Sequence, residues 1–140
     1  MQKGFLSLKR IERNTLSKTF EFEVYGQPVP KPRMTRRDSG KVSRIAGMRP
    51  IVRGFLAYKD SIWAVMMSKP RVQFRKARLA VTFHIEGEPR MDLDNLCKSI
   101  CDSIVPWLLP DDSVKCIPEI QAKAILKSSW GKTEIKLEEI

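Results

Sequence analysis

Residues 19–25, Thr-Phe-Glu-Phe-Glu-Val-Tyr, alternate polar and apolar and stop at Gly26, which is the signature of a half-buried strand. The period changes over residues 51–67. There Phe55, Ile62 and Met66 fall on one side with Leu56, Trp63 and Met67 beside them, as in a helix that buries one face. Residues 77–85 return to a strand pattern, closed by Glu86-Gly87-Glu88-Pro89. A second helix is expected to begin between Asp92 and Asp94 and to end before Pro106, because proline disfavours helix at the residue ahead of it. Its apolar stripe is Leu96, Ile100 and Ile104. The chain then turns at Asp111-Asp112-Ser113. Residues 114–126 and 133–137 read as two strands, expected to form a hairpin joined around residues 128–132, with Gly131 in a turn conformation. The predicted order is β, α, β, α, β, β, without internal repeat. Residues 1–18 mix isolated apolar positions with Lys, Arg and Ser, and read equally as a frayed extension or an extra strand.

Between the first strand and the first helix the chemistry changes. Pro28, Pro30 and Pro32 exclude helix and favour an extended path. Residues 31–49 then carry Lys31, Arg33, Arg36, Arg37, Lys41, Arg44 and Arg49 against a single acid, Asp38, with few apolar anchors. A basic loop over residues 31–53, mobile when unliganded, is expected. The whole chain is basic, with 26 Lys and Arg against 16 Asp and Glu, a formal charge of +10 in 140 residues. That length suits one domain, residues 1–140, and the charge favours a polyanionic partner, nucleic acid first. Apolar runs fall short of the roughly 20 residues that span a bilayer, and no signal-peptide core opens the chain, so a cytoplasmic protein without a membrane partner is expected.

Three cysteines and the single His84 do not make a zinc set, which needs about four ligands. Cys97 and Cys101 read as buried reduced thiols and His84 as a strand residue. The carboxylates carry more. Asp92 and Asp94 stand two apart where a loop enters a helix, and Asn95 and Lys98 follow on the same exposed face. Each feature has an ordinary structural meaning: a helix cap, an i,i+4 surface pair, and, for Asp111 and Asp112, a turn. Together they suggest more. If the chain doubles back after the second helix, Asp112 returns toward Asp92 and Asp94. Three hard oxygen ligands of that kind suit Mg²⁺, or Mn²⁺, with positions left open for water and phosphate. Such an ion polarises a phosphodiester and activates water, and Lys98 could stabilise the extra charge of the transition state.

The string Arg90-x-Asp92-Leu93-Asp94-Asn95-Leu96-x-Lys98, then Asp102, then Leu109-x-Asp111-Asp112 resembles the signature of the RusA family of Holliday-junction resolvases. The stretch Gly26-Gln27-Pro28-x-Pro30-Lys31-x-Arg33 resembles the opening of many members. The likeness runs from about Phe20 to the C-terminus and leaves residues 1–19 as an addition. It implies an α/β (α+β) fold, a small mixed sheet with two main helices, in a homodimer from a bacterial or phage-infected cell. The implied activity is Mg²⁺-dependent cleavage of four-way DNA by paired symmetric incisions, in DNA recombination and repair. Asp92, Asp94 and Asp112 would be the metal-site carboxylates and Lys98 the essential base, supported by Asn95 and Asp111. Several bases often precede the family's DxDN motif, but here Glu86, Glu88 and Pro89 precede a lone Arg90. Phosphate contact is therefore expected from Lys31, Arg33, Arg36, Arg37, Lys41, Arg44 and Arg90, with a second basic group at Arg71, Arg75, Lys76 and Arg78.

Symmetry argues for two copies independently, since a four-way junction presents two equivalent strands and a two-fold dimer presents two sites. Phe55, Trp63 and Trp107 are expected in core or interface rather than as wedges in DNA. Two other functions fit the same residues: a branched-DNA endonuclease with looser choice of flaps and forks, and a DNA-binding protein whose acids only cap helices and turns.

Overall fold

Alternation decides the sheet. A computed structural model describes residues 18–33 and 49–140, and within them β1 (Thr19–Tyr25) buries Phe20, Phe22 and Val24 while its other positions face solvent. The helix α1 (Pro50–Met67) follows, with proline in its first turn and Val52, Phe55, Tyr58, Ile62 and Met66 buried at spacings of three and four. Then come β2 (Ala77–His84), α2 (Leu93–Ile104), β3 (Glu119–Ile125) and β4 (Lys132–Glu139). The result is an α+β fold, among the described residues a mixed four-stranded sheet in the order β1-β4-β2-β3 with two helices. Among the described residues no helix is long and apolar enough to cross a membrane.

Register aligns the apolar positions into rows across the sheet. Phe22 pairs with Ile135, which pairs with Val81, and Phe20, Leu137 and Leu79 form the next row. The expected stripe of α2, Leu96, Ile100 and Ile104, is fully buried in the same core. Tyr58 of α1 reaches the sheet through a buried 2.5 Å hydrogen bond to the Thr133 hydroxyl, and burial pushes its phenol well above the ordinary range. Of the aromatics expected inside, Phe55 is buried, and Trp63 and Trp107 meet edge to face. The Trp63 indole donates to the Ser103 carbonyl at 2.6 Å.

The expected hairpin of the last two strands does not form. β3 runs parallel to β2, with α2 as the crossover, and β4 inserts antiparallel between β1 and β2. Burial explains the choice. β4 brings Thr133, Ile135 and Leu137 to a central position, whereas β3 offers the small Ala122 and Ala124 and remains exposed at the edge. Residues 126–131 make the step past the end of β2, where the amides of Lys127 and Ser128 donate to the carbonyls of Gly87 and Ile85. The third strand is also shorter than expected. Cys116 and Ile117 donate to the Ser113 carbonyl in a helical turn that sinks both side chains into the core.

Gly131 has a different purpose from the turn conformation expected of it. A Cβ there would lie 2.5 Å from Gln27 Cα and 2.8 Å from the Gly26 carbonyl oxygen, so the glycine is required by close backbone approach. Gly131→Ala is therefore expected to lower the unfolding free energy by about 1–3 kcal/mol, the usual cost of overpacking, measured by urea denaturation.

Candidate functional site

The segment between β1 and the basic loop forms a strap across α2. Gly26, at φ +125°, turns the chain out of β1 and donates to the Gly131 carbonyl. The Gln27 side chain then clamps the backbone of Glu86, donating to its carbonyl at 3.2 Å and accepting from its amide at 2.8 Å. Pro28 and Pro32 are buried. Between them the fully buried Ser99 donates its hydroxyl to the Val29 carbonyl at 2.7 Å, and the Lys31 amide donates to the Asn95 carbonyl at 2.9 Å. Lys31 also reaches Asp102 with its ammonium, 2.7 Å from Oδ2. Sequence reasoning gave Lys31 to DNA, but its charge is already engaged by this acid.

Asp92 occupies the N-cap of α2 with extended backbone, yet its side chain makes no capping bond. The amides of Asn95 and Leu96 go instead to its backbone carbonyl. The carboxylate is left exposed, with the Asn95 side-chain amide 3.5 Å away. Asp94 lies in the first turn, where the positive end of the helix favours an anion, and its Oδ1 accepts from the Asn95 amide at 2.9 Å. Lys98 is one turn on and exposed, and no ion pair joins it to Asp94 among the described residues. Neither the capping role nor the surface-pair role, the ordinary meanings of these residues, is therefore what they do here. Lys31, Pro32, Arg33, Asn95 and Lys98 line one open cleft of about 470 Å³. Arg33 and Lys98 bring cationic side chains to it from two different segments.

The two acids of the later turn separate in role. Asp111 accepts from the Ser113 amide at 2.8 Å, and bonds from the hydroxyl and amide of Ser113 hold its carboxyl below the ordinary range. Asp111 is thus a turn former. Asp112 is exposed, and its charge acts on Cys101, whose thiol is pushed up to about 11 by burial first and then by Asp112. Cys97, one turn earlier, is raised by burial and then by Asp94. Asp94 thus acts on the first cysteine of α2 and Asp112 on the second, one turn further along the helix. Among the described residues no three His, Cys, Asp or Glu side chains are grouped to hold a metal ion. The convergence expected of Asp92, Asp94 and Asp112 is not reached as a three-acid group. The donors that fit Mg²⁺ best are Asp92 and Asp94, since that ion commonly takes one or two carboxylates and completes its shell with water and phosphate.

Of the remaining predicted bases, Arg90 is exposed just ahead of α2, while Arg36, Arg37, Lys41 and Arg44 lie outside the described residues. So do the 1–17 part of the expected extension and the expected mobility of most of the basic loop. The loop's two ends are described and ordered: residues 31–33 belong to the strap, residues 50–53 belong to α1, and the Arg49 guanidinium donates to the Arg33 carbonyl at 2.9 Å. In the second basic group Arg78 is held by Glu119 and Glu138, and Arg71 stacks over Trp107 at 5.0 Å. His84 sits on the sheet against Glu134 at 2.6 Å, as a strand residue would. Sequence reasoning gave no role to Gln27, Ser99 or Asp102. The recurrence of Asn95, Ser99 and Ser103 at four-residue intervals was the available signal for a polar contact stripe.

No protein-family model matches the chain, and comparison with curated proteins finds no match.

The position of Asp94 beside Cys97 has a direct chemical readout. Removing the negative charge in Asp94→Asn lowers the Cys97 pKa and raises its thiolate fraction at pH 8, so alkylation, followed by mass spectrometry, is expected to be faster than in the wild type. Cys101 stays slow in both, because a pKa near 11 leaves on the order of one thiolate per thousand thiols at that pH.

Proposed function

We propose that this protein is a Mg²⁺-dependent, structure-specific endodeoxyribonuclease of the RusA kind, acting as a homodimer on four-way DNA in the cytoplasm by paired phosphodiester cleavage. The observation that carries the reading is the cleft: Arg33 and Lys98, held by the strap and α2, line it together with Asn95, directly beside the uncapped Asp92 and Asp94. Cations that engage phosphate and carboxylates that engage a hard metal ion are thereby neighbours at one helix end, the pairing of charges that phosphodiester hydrolysis uses.

The roles follow from charge and position. Arg33 and Lys98 bind and orient the scissile phosphate, and Lys98 offsets the charge that builds on its oxygens. Asn95 fixes the Asp92 carboxylate through its amide. A bound divalent ion would supply Lewis-acid polarisation of the phosphoryl oxygen and a more acidic water. Asp92 and Asp94 would hold it, with water and phosphate completing its shell. Arg90 and the bases of residues 34–48 extend the phosphate surface, so recognition is by backbone and shape rather than base edges.

Cutting of flaps and forks is a looser form of the same chemistry. The absence of a three-acid group among the described residues favours a different alternative, branched-DNA binding without cleavage.

The test is incision of a synthetic mobile four-way junction beside a fork, a flap and a linear duplex, with Mg²⁺ or EDTA. Paired nicks on opposing junction strands are expected with Mg²⁺ only. Asp92→Asn and Lys98→Ala are each expected to lower the rate by roughly 10²-fold or more while junction binding persists. Arg33→Ala is expected to weaken binding and flatten its salt dependence by about one phosphate contact. Nicks confined to forks or flaps would replace the resolvase with the looser nuclease. Tight binding without nicks under Mg²⁺ or Mn²⁺ would leave only the binding protein.

A further inference from the structure

The geometry points to β3 as the surface through which two copies of this chain join, antiparallel and two-fold symmetric about Gln121, making one continuous sheet. The inference deepens the homodimer of the proposed function but stands on the strand alone.

Among the described residues β3 is an edge strand, paired only with β2. Which of its backbone groups are free follows from one bond: the Ile85 amide donates to the Ile125 carbonyl at 2.8 Å. In a parallel ladder a residue directs its N–H and C=O to the same neighbour, and the direction alternates along the strand. Ile125, Lys123, Gln121 and Glu119 therefore turn their backbone groups to β2, and Ile120, Ala122 and Ala124 turn theirs outward, unpaired among the described residues. Ile120 is 45% exposed on this strand and Ile125 41%. A row of free amides and carbonyls with apolar side chains along it is a template for another strand.

The sequence of β3 selects the partner. In antiparallel pairing about Gln121, Glu119 faces the partner's Lys123 and Lys123 faces the partner's Glu119. Ile120 and Ala122 fall opposite each other, and both have their backbone groups outward, as a hydrogen-bonded pair requires. Glu119 and Lys123 then form the close, non-hydrogen-bonded pairs, in which opposite charges are favourable. A register centred on Ala122 would instead set Glu119 against the partner's Ile125. The opposite edge of the sheet behaves otherwise: self-pairing of β1 about Phe22 would set Glu21 against the partner's Glu23, like charge on like. One edge is thus self-complementary and the other self-repelling, which closes the assembly at two.

The experiment is sedimentation equilibrium of the full chain without DNA or metal, combined with oxidative crosslinking. The wild type is expected to be a dimer at micromolar concentration. Ala122→Pro removes an outward amide only and leaves the β2 ladder complete; a tenfold or greater loss of dimer affinity is expected at unchanged circular dichroism. Lys123→Glu is expected to weaken the dimer, and the double change Glu119→Lys with Lys123→Glu to recover part of it, less what the loss of the Glu119–Arg78 pair removes. Gln121→Cys, at the dyad, is expected to give a covalent dimer under mild oxidation, which the wild type with its three cysteines does not. If Ala122→Pro fails to fold, the charge exchange and the crosslink decide alone. A monomeric wild type, a dimer indifferent to the charge exchange that leaves Gln121→Cys uncrosslinked, or a ladder of larger species would overturn the proposal. Because the readouts involve no cleavage, a dimer without nuclease activity would sink the nuclease reading and leave this one intact.

Discussion

Three prolines in the strap remove three amide donors, and the one left between Pro30 and Pro32 belongs to Lys31. That amide is committed to the Asn95 carbonyl on α2. A chain this poor in donors cannot join the sheet, yet its carbonyls still need partners when it lies against the protein. Ser99 supplies one for Val29 from a fully buried position, and Asp102 takes the Lys31 ammonium on the outside. The strap is therefore fixed to α2 at successive turns of one helix stripe, which sets Arg33 in the same cleft as Asn95 and Lys98.

Charge is distributed so that the useful groups are the unpaired ones. α2 presents Asp94, Lys98 and Asp102 at four-residue intervals, a spacing in which Lys98 could serve either acid. Asp102 is occupied by Lys31, and Asp94 accepts from the Asn95 amide. Lys98 is left to line the cleft with Arg33. Elsewhere the same chain neutralises its bases: Arg78 between Glu119 and Glu138, Lys132 near Glu23 and Glu134. A net charge of +10 thus overstates how many cations are available to a phosphate backbone and understates how locally they are concentrated.

Periodicity made the elements legible, because burial on one face writes itself into sequence. The alternation of Phe20, Phe22 and Val24 and the stripe of Leu96, Ile100 and Ile104 both stand in the core as read. Strand order was not legible in the same way. The choice between a β3–β4 hairpin and a crossover depends on which strand best fills the centre of the sheet, a comparison of Ile135 and Leu137 with Ala122 and Ala124 that local pattern does not make. In the site, motif spacing found Asp92, Asp94, Asn95 and Lys98 as neighbours. It set Asp111 beside Asp112 as a supporting acid, whereas the bond from the Ser113 amide makes Asp111 a turn former. Spacing could not show that Lys31 is held by Asp102, 71 positions further along the chain.

The strap also governs the basic loop that follows it. Arg33 lines the cleft, and its carbonyl accepts the Arg49 guanidinium just before α1 begins at Pro50. The two ends of residues 34–48 are therefore brought together by ordered structure, which meets the loop-closure cost within the folded domain instead of at the moment of binding. In the proposed reading, that anchorage ties the segment to the cleft in which Arg33 and Lys98 hold a phosphate. In that reading a weakened strap would act on DNA affinity through the anchorage as well as through the cleft, without altering Asp92 or Asp94.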